Sequence, residues 1–89
     1  MLTLPAALTH AGALDTVRVL NAQAALQPDG IVIDASALTR FDSSALAVLL
    51  ACRRQATAVG KTFAVQGLPA SLSQLAALYG VAELIPASA

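Results

Sequence analysis

The chain has 89 residues, of which 57% are hydrophobic but only 3% aromatic and 11% charged, with five basic residues balancing five acidic ones. That length leaves room for one domain, burying about 60–65% of the surface its unfolded chain exposes, around a core of Ala, Leu and Val instead of large rings. With no net charge, the chain has no field to hold a phosphate backbone or an anionic membrane, which argues against nucleic acid as a partner.

Met1 to His10 is apolar and interrupted by Pro5, which cannot donate to a ladder, so the segment predicts one or two short edge strands. From Leu14 to Leu26 the apolar residues Leu14, Val17, Ala24 and Ala25 recur at helical spacing, with Asp15 and Thr16 near the start, where an acidic group favours the helix dipole. This first helix ends before the turn Pro28-Asp29-Gly30. The β-branched run Ile31-Val32-Ile33 reads as a central strand buried on both faces, with Asp34 and Ser36 after it. Phe41 precedes Asp42-Ser43-Ser44, and an alanine- and leucine-rich helix then runs to Val59-Gly60, with Asp42 a good N-cap and Gly60 a good stop.

Thr62 to Gln66 alternates as a half-buried strand. Pro69, Ser71 and Gln74 then open a third helix, in which Ser71-x-x-Gln74 reads as a capping box. Leu72, Leu75, Ala76 and Tyr79 give this helix an apolar face, Gly80 ends it, and Val81 to Ile85 forms a last short piece. Three repetitions of strand then helix select the α/β class. The expected architecture is a mixed sheet of about four strands with helices mainly on one face, and with Ile31, Val32, Ile33, Leu49, Phe63, Val65 and Leu75 in the core.

The chain offers few parts for catalysis. Its one histidine, His10, reads as a surface or strand-end residue; a Ser-His-Asp set drawn from Ser43, His10 and Asp42 lacks the flanking glycines of a nucleophile elbow, and Asp42 adjoins the serine. One His and one Cys lack the spaced partners that zinc requires, and no glycine-rich phosphate loop is present, so neither a metal nor a cofactor is expected. Cys52 has no second cysteine to pair with, which fits a reducing cytoplasm, and at its position a thiol behaves as a small buried hydrophobe. Tyr79, at a helix end, is expected to close the core. No secretory leader is recognisable, and the longest apolar run, Ala45 to Cys52, is less than half a membrane span, so no membrane insertion is expected.

Two hydroxyls, on Ser43 and Ser44, stand at a helix N-terminus just after a strand. Spacing alone makes this helix capping; a phosphoryl group on Ser43 would also meet free backbone N–H groups and the positive end of the dipole there.

The stretch Ile31-Val32-Ile33-Asp34-Ala35-Ser36, followed by Phe41-Asp42-Ser43-Ser44-Ala45-Leu46-Ala47-Val48-Leu49-Leu50, resembles the signature of the STAS domain family of anti-sigma factor antagonists and their transporter-associated relatives. The likeness spans nearly the whole chain, because Gly60-Lys61-Thr62-Phe63 and the ending Leu75-Ala76-Ala77-Leu78-Tyr79-Gly80-Val81 also fall in family order. The ending looks most like the MlaB-like branch. That branch implies a bacterial, non-catalytic subunit seated on the cytoplasmic ATPase of an MCE/Mla-type ABC transporter, peripheral to the inner membrane, serving phospholipid transport and outer-membrane lipid asymmetry. The antagonist branch implies instead a partner serine kinase, an anti-sigma factor, that phosphorylates the residue matching Ser43. Ser43 is the functional position carried over in both. One position departs from the pattern: the usual glycine is Ala45, which weighs against close kinase approach and favours the transporter branch.

Stepping about 100° per residue along the second helix separates two faces. Ala45, Val48, Leu49, Cys52, Ala56 and Val59 are expected on the sheet. Ala47, Leu50, Ala51, Arg54 and Ala58 face outward, flanked by Leu46 and Arg53. A lone helix would show several charges there, so this face reads as a docked surface, and the expected partner interface comprises Arg40, Ser43, Ser44, Leu46, Ala47, Leu50, Ala51 and Arg54.

Overall fold

The computed structural model describes residues 1–28 and 30–87. Five short strands and three helices alternate along the chain: β1 (Leu2–Thr3), β2 (Ala7–Leu8), α1 (Ala13–Ala24), β3 (Gly30–Asp34), β4 (Arg40–Phe41), α2 (Ser44–Ala58), β5 (Thr62–Gln66) and α3 (Ala70–Leu78). Single 3-10 turns at His10–Gly12 and Ala82–Leu84 complete the order. Of the turn Pro28-Asp29-Gly30, Asp29 lies outside the described residues.

The α/β class expected from the sequence is the one observed. The strands form a three-stranded sheet in the order β1-β3-β5 and a separate two-stranded ladder of β2 and β4, and every pairing of named strands is parallel rather than mixed. Parallel neighbours need a crossover between them, and α1 and α2 supply it.

In β3 burial alternates, with Ile31 and Ile33 buried and Val32 and Asp34 only half-buried. The sheet is therefore fully covered on one face, which corrects the reading of β3 as buried on both. Register explains the choice of face: Ile31 lies opposite Phe63, Ile33 opposite Val65 and Leu2 opposite Ile33, so these residues share one side of the pleat. Phe63 and Leu75 pack against the core partly buried, while Ile31, Ile33, Leu49 and Val65 are within it.

The inner row of α1 is Ala13, Val17, Leu20 and Ala24, with Leu20 buried. Leu14 is instead 63% exposed and Ala25 lies outside the helix. The helix meets the core along a row displaced by one residue from the Leu14 row. Its last carbonyl, on Ala24, accepts a hydrogen bond from Lys61 Nζ at 2.9 Å, a cation at the negative end of the dipole.

The ends of α2 and α3 share one device. Gly60 and Gly80 have positive φ, and the next N–H reaches back to the helix, from Lys61 to Ala56 at 2.8 Å and from Val81 to Ala76 at 2.9 Å. This is the Schellman arrangement, which glycine adopts without a Cβ penalty. At the start of α3 no side-chain capping bond forms. Ser71 already lies inside the helix, because the N-cap position falls on Pro69, two residues earlier, so the expected capping box is absent. Tyr79 is 58% exposed and does not close the core; that role falls to Leu72, Ala76 and Ile85.

Candidate functional site

The turn between β3 and α2 is built by two aspartates. Asp34 Oδ1 accepts the Ser36 N–H at 2.9 Å, which folds the chain sharply at the end of β3. The Ala35 N–H donates to the Gln66 carbonyl, and the neighbouring Gly67, at φ +69°, approaches so closely that an added Cβ would lie 2.8 Å from Ser36 Cβ. The Asp-x-Ser tripeptide is thereby clamped to the end of β5. The Ala6 carbonyl accepts the N–H groups of Thr39 and Arg40, aligning β4 with β2.

Asp42 then joins two segments. Its Oδ1 accepts the Ser44 N–H at 2.8 Å, and its Oδ2 accepts the main-chain N–H of His10, 32 residues earlier in sequence, at 3.1 Å. Ser43 occupies the N-cap position of α2 with near-helical angles, and its hydroxyl makes no capping bond. The Ser44 N–H, the Ser44 hydroxyl and the His10 N–H all stabilise the ionised Asp42. The N–H of Ser44 contributes most, and the carboxyl is held below its ordinary value. Asp34 is lowered likewise, first by the Ser36 hydroxyl and then by the Ser36 N–H.

This geometry bears on both chemical readings of the turn. His10 meets Asp42 through its main chain, so the aspartate is engaged by amides and does not orient an imidazole. The positive end of α2 already holds a carboxylate, so a phosphoryl group on Ser43 would meet a like charge beside it. Among the described residues no group of three or more His, Cys, Asp or Glu side chains could hold a metal ion, and no helix is long and apolar enough to cross a membrane.

Of the expected interface residues, Arg40, Ser43, Ala47 and Arg54 are exposed, and Ser44, Leu50 and Ala51 are half-buried. Leu46 is 2% exposed and belongs to the core, which removes it from any surface. Because α2 packs on α1 as well as on β5, its buried arc is wider than a sheet-facing stripe and takes in Leu46. At the other end the arc stops at Ala56, and Val59 is 56% exposed. Cys52 is buried and free, and burial pushes its thiol up to about 11.

Leu50, Arg53, Arg54, Thr57, Ala58 and Leu84 line a shallow groove of about 420 Å³. Sequence periodicity along α2 marks four of these six residues as outward or flanking. It could not find Leu84, which reaches α2 only through the fold of the last 3-10 turn.

The chain is thus a small parallel α/β layer that presents a helix face with few charges beside a turn clamped by two aspartates. The family model described as Mlab, STAS domain matches residues 2–86, and the chain belongs to that family. No curated protein matches the chain at a significant level.

Proposed function

We propose that the chain is a non-catalytic STAS subunit that docks on the cytoplasmic ATPase of an MCE/Mla-type ABC transporter. It would regulate that ATPase in phospholipid transport and so serve outer-membrane lipid asymmetry. The observation that carries this reading is the outward side of α2, where Ala47, Leu50, Ala51 and Ala58 show small or aliphatic side chains, Arg54 is the one charge and no acidic residue is present. Such a face permits close approach of a partner, with arginine at its rim. Membership of the Mlab-type family supports the choice of partner. The protein on this reading is cytoplasmic, reaches the inner membrane through its partner alone, and needs no cofactor.

A tagged copy expressed in its own cells should retain an ABC ATPase, with permease and MCE-type subunits behind it. Ala47→Glu should abolish that retention while the isolated domain keeps its circular dichroism and melting profile, because the carboxylate would be buried unpaired only in the complex. Retention at wild-type yield would exclude this face as the contact. Ala51 is half-buried, so Ala51→Glu is the less clean variant.

The exposure of Ser43 at the start of α2 favours a second reading, an anti-sigma factor antagonist switched by a serine kinase. It requires a phosphorylated Ser43 in cells and recovery of a kinase in the same capture. A chain that shows no added phosphate by intact mass, in cells where the ATPase is retained, rules out the switch.

A further inference from the structure

Arg53 and Arg54 are the only charged residues of α2. The helix dipole explains neither, because its favourable interaction with cations is confined to the last turn, and the last turn of α2 holds no basic residue. Elsewhere Arg18 has Asp15 at 3.7 Å and Lys61 is held by the Ala24 carbonyl, while Arg40, away from this groove, also makes no ion pair among the described residues. Among the described residues neither Arg53 nor Arg54 has a carboxylate within ion-pair distance. Arg53 is moreover half-buried, as an arginine is when its aliphatic stem lies along an apolar surface.

The two arginines stand on a groove whose remaining walls are Leu50, Thr57, Ala58 and Leu84. Its volume, about 420 Å³, lies in the lower part of the range for binding clefts, about 300–1,000 Å³. The groove thus offers an apolar floor and two guanidinium groups, each able to hold a carboxylate through paired N–H donors.

We infer that this groove receives a segment of the partner protein in which an aliphatic side chain is flanked by a carboxylate. The aliphatic group lies between Leu50, Ala58 and Leu84, and Arg53 and Arg54 hold the acid. The inference rests on the docking reading of α2 and adds the chemistry of what is docked. A nucleic-acid or anionic-lipid occupant is disfavoured by the apolar walls and by a formal net charge of zero.

Two experiments on the full chain decide it. In cells, a photo-crosslinking residue placed at Thr57 should join to a partner peptide carrying Asp or Glu within about three residues of Leu, Ile or Val. An adduct to lipid, to RNA or to a basic peptide overturns the inference, as does the absence of any adduct. In solution, a seven-residue peptide alternating glutamate and leucine should shift the amide NMR signals of Leu50, Arg53, Arg54, Thr57 and Leu84. A peptide with lysine in place of glutamate should not. Arg53→Ala with Arg54→Ala should weaken the acidic peptide at least 10-fold, and added salt should weaken it further; equal binding of both peptides, or no loss in the double variant, overturns the inference. Capture separates this failure from that of the docking reading. If Ala47→Glu abolishes the complex and Arg53→Glu with Arg54→Glu leaves it intact, the groove chemistry is wrong and the docked face stands. If neither change affects the complex, both fall.

Discussion

Asp42 has a fully exposed carboxyl that nevertheless holds two segments 32 residues apart, because both its oxygens accept main-chain N–H groups. Its carboxyl is depressed in the folded chain, as is that of Asp34. The stability each contributes is therefore fully present above the ordinary carboxylate pKa, about 4, and is lost as pH falls through the lower folded value. The urea midpoint should stay level from neutral pH down to about 5 and fall below about 4. Asp42→Asn, which keeps an acceptor for the Ser44 N–H, should flatten that fall, whereas Asp42→Ala should lower the midpoint at pH 7 as well. An unchanged acid limb in Asp42→Asn would mean that the carboxylate is not held as described. Glycine gives a second comparison at this scale. Gly60 and Gly67 both have positive φ, but a Cβ at Gly60 meets open space and one at Gly67 meets Ser36. Gly60→Ala should cost about 1–2 kcal/mol for the left-handed backbone alone, and Gly67→Ala clearly more; equal costs by urea denaturation would refute the close approach.

Adjacent positions of α2 have opposite surroundings: Leu46 is 2% exposed and Ala47 is exposed. Leu46→Glu should unfold the domain by burying an unpaired charge, while Ala47→Glu should leave the isolated chain folded. Circular dichroism of the two purified variants is a direct check on where α2 turns its faces. Further along, Leu49 is fully buried. Leu49→Ala should cost about 2–5 kcal/mol, a large part of the roughly 5–15 kcal/mol that stabilises a domain. If its loss in urea is under about 1 kcal/mol, the contact of α2 with the sheet is much looser than its burial indicates.

With few rings to fill space, the whole molecule depends on aliphatic side chains, leucine above all, to fill its core. Its radius of gyration, 11.8 Å, is near the value of about 12 Å expected for a compact chain of this length, so a core made mainly of leucine leaves the molecule no larger than an ordinary one. Cys52 reports on that packing. Its thiol, pushed up to about 11 by burial, should be almost inert to iodoacetamide at pH 8 in the folded chain and should react at the ordinary rate in denaturant, because only the thiolate attacks. Rapid modification of the folded chain at pH 8 would show that α2 is not closed over it.

The amino-acid order by itself determined the alternation of strand and helix, the stops at Gly60 and Gly80, a helix start next to Asp42, though Ser43 and not Asp42 holds the N-cap position, and the outward placement of Ala47, Arg54 and Ala58, while Leu50 and Ala51 are half-buried. Each follows from a local rule: backbone freedom, a side chain short enough to reach its own amides, or a period along one element. Tertiary structure decided what depends on a second element. Leu14 and Leu20 are both leucines in one helix, and only the position of the sheet makes Leu20 the buried one. Leu46 entered the core because α2 has α1 as well as the sheet for a neighbour. Val32 remained half-buried because only one face of β3 is fully covered, and Ser71 missed its capping role because Pro69 set the start of α3. The groove at Arg53 and Arg54 is the extreme case. Leu84 lies about thirty residues further along the chain, and no periodicity within α2 could show that the last 3-10 turn folds back to wall it.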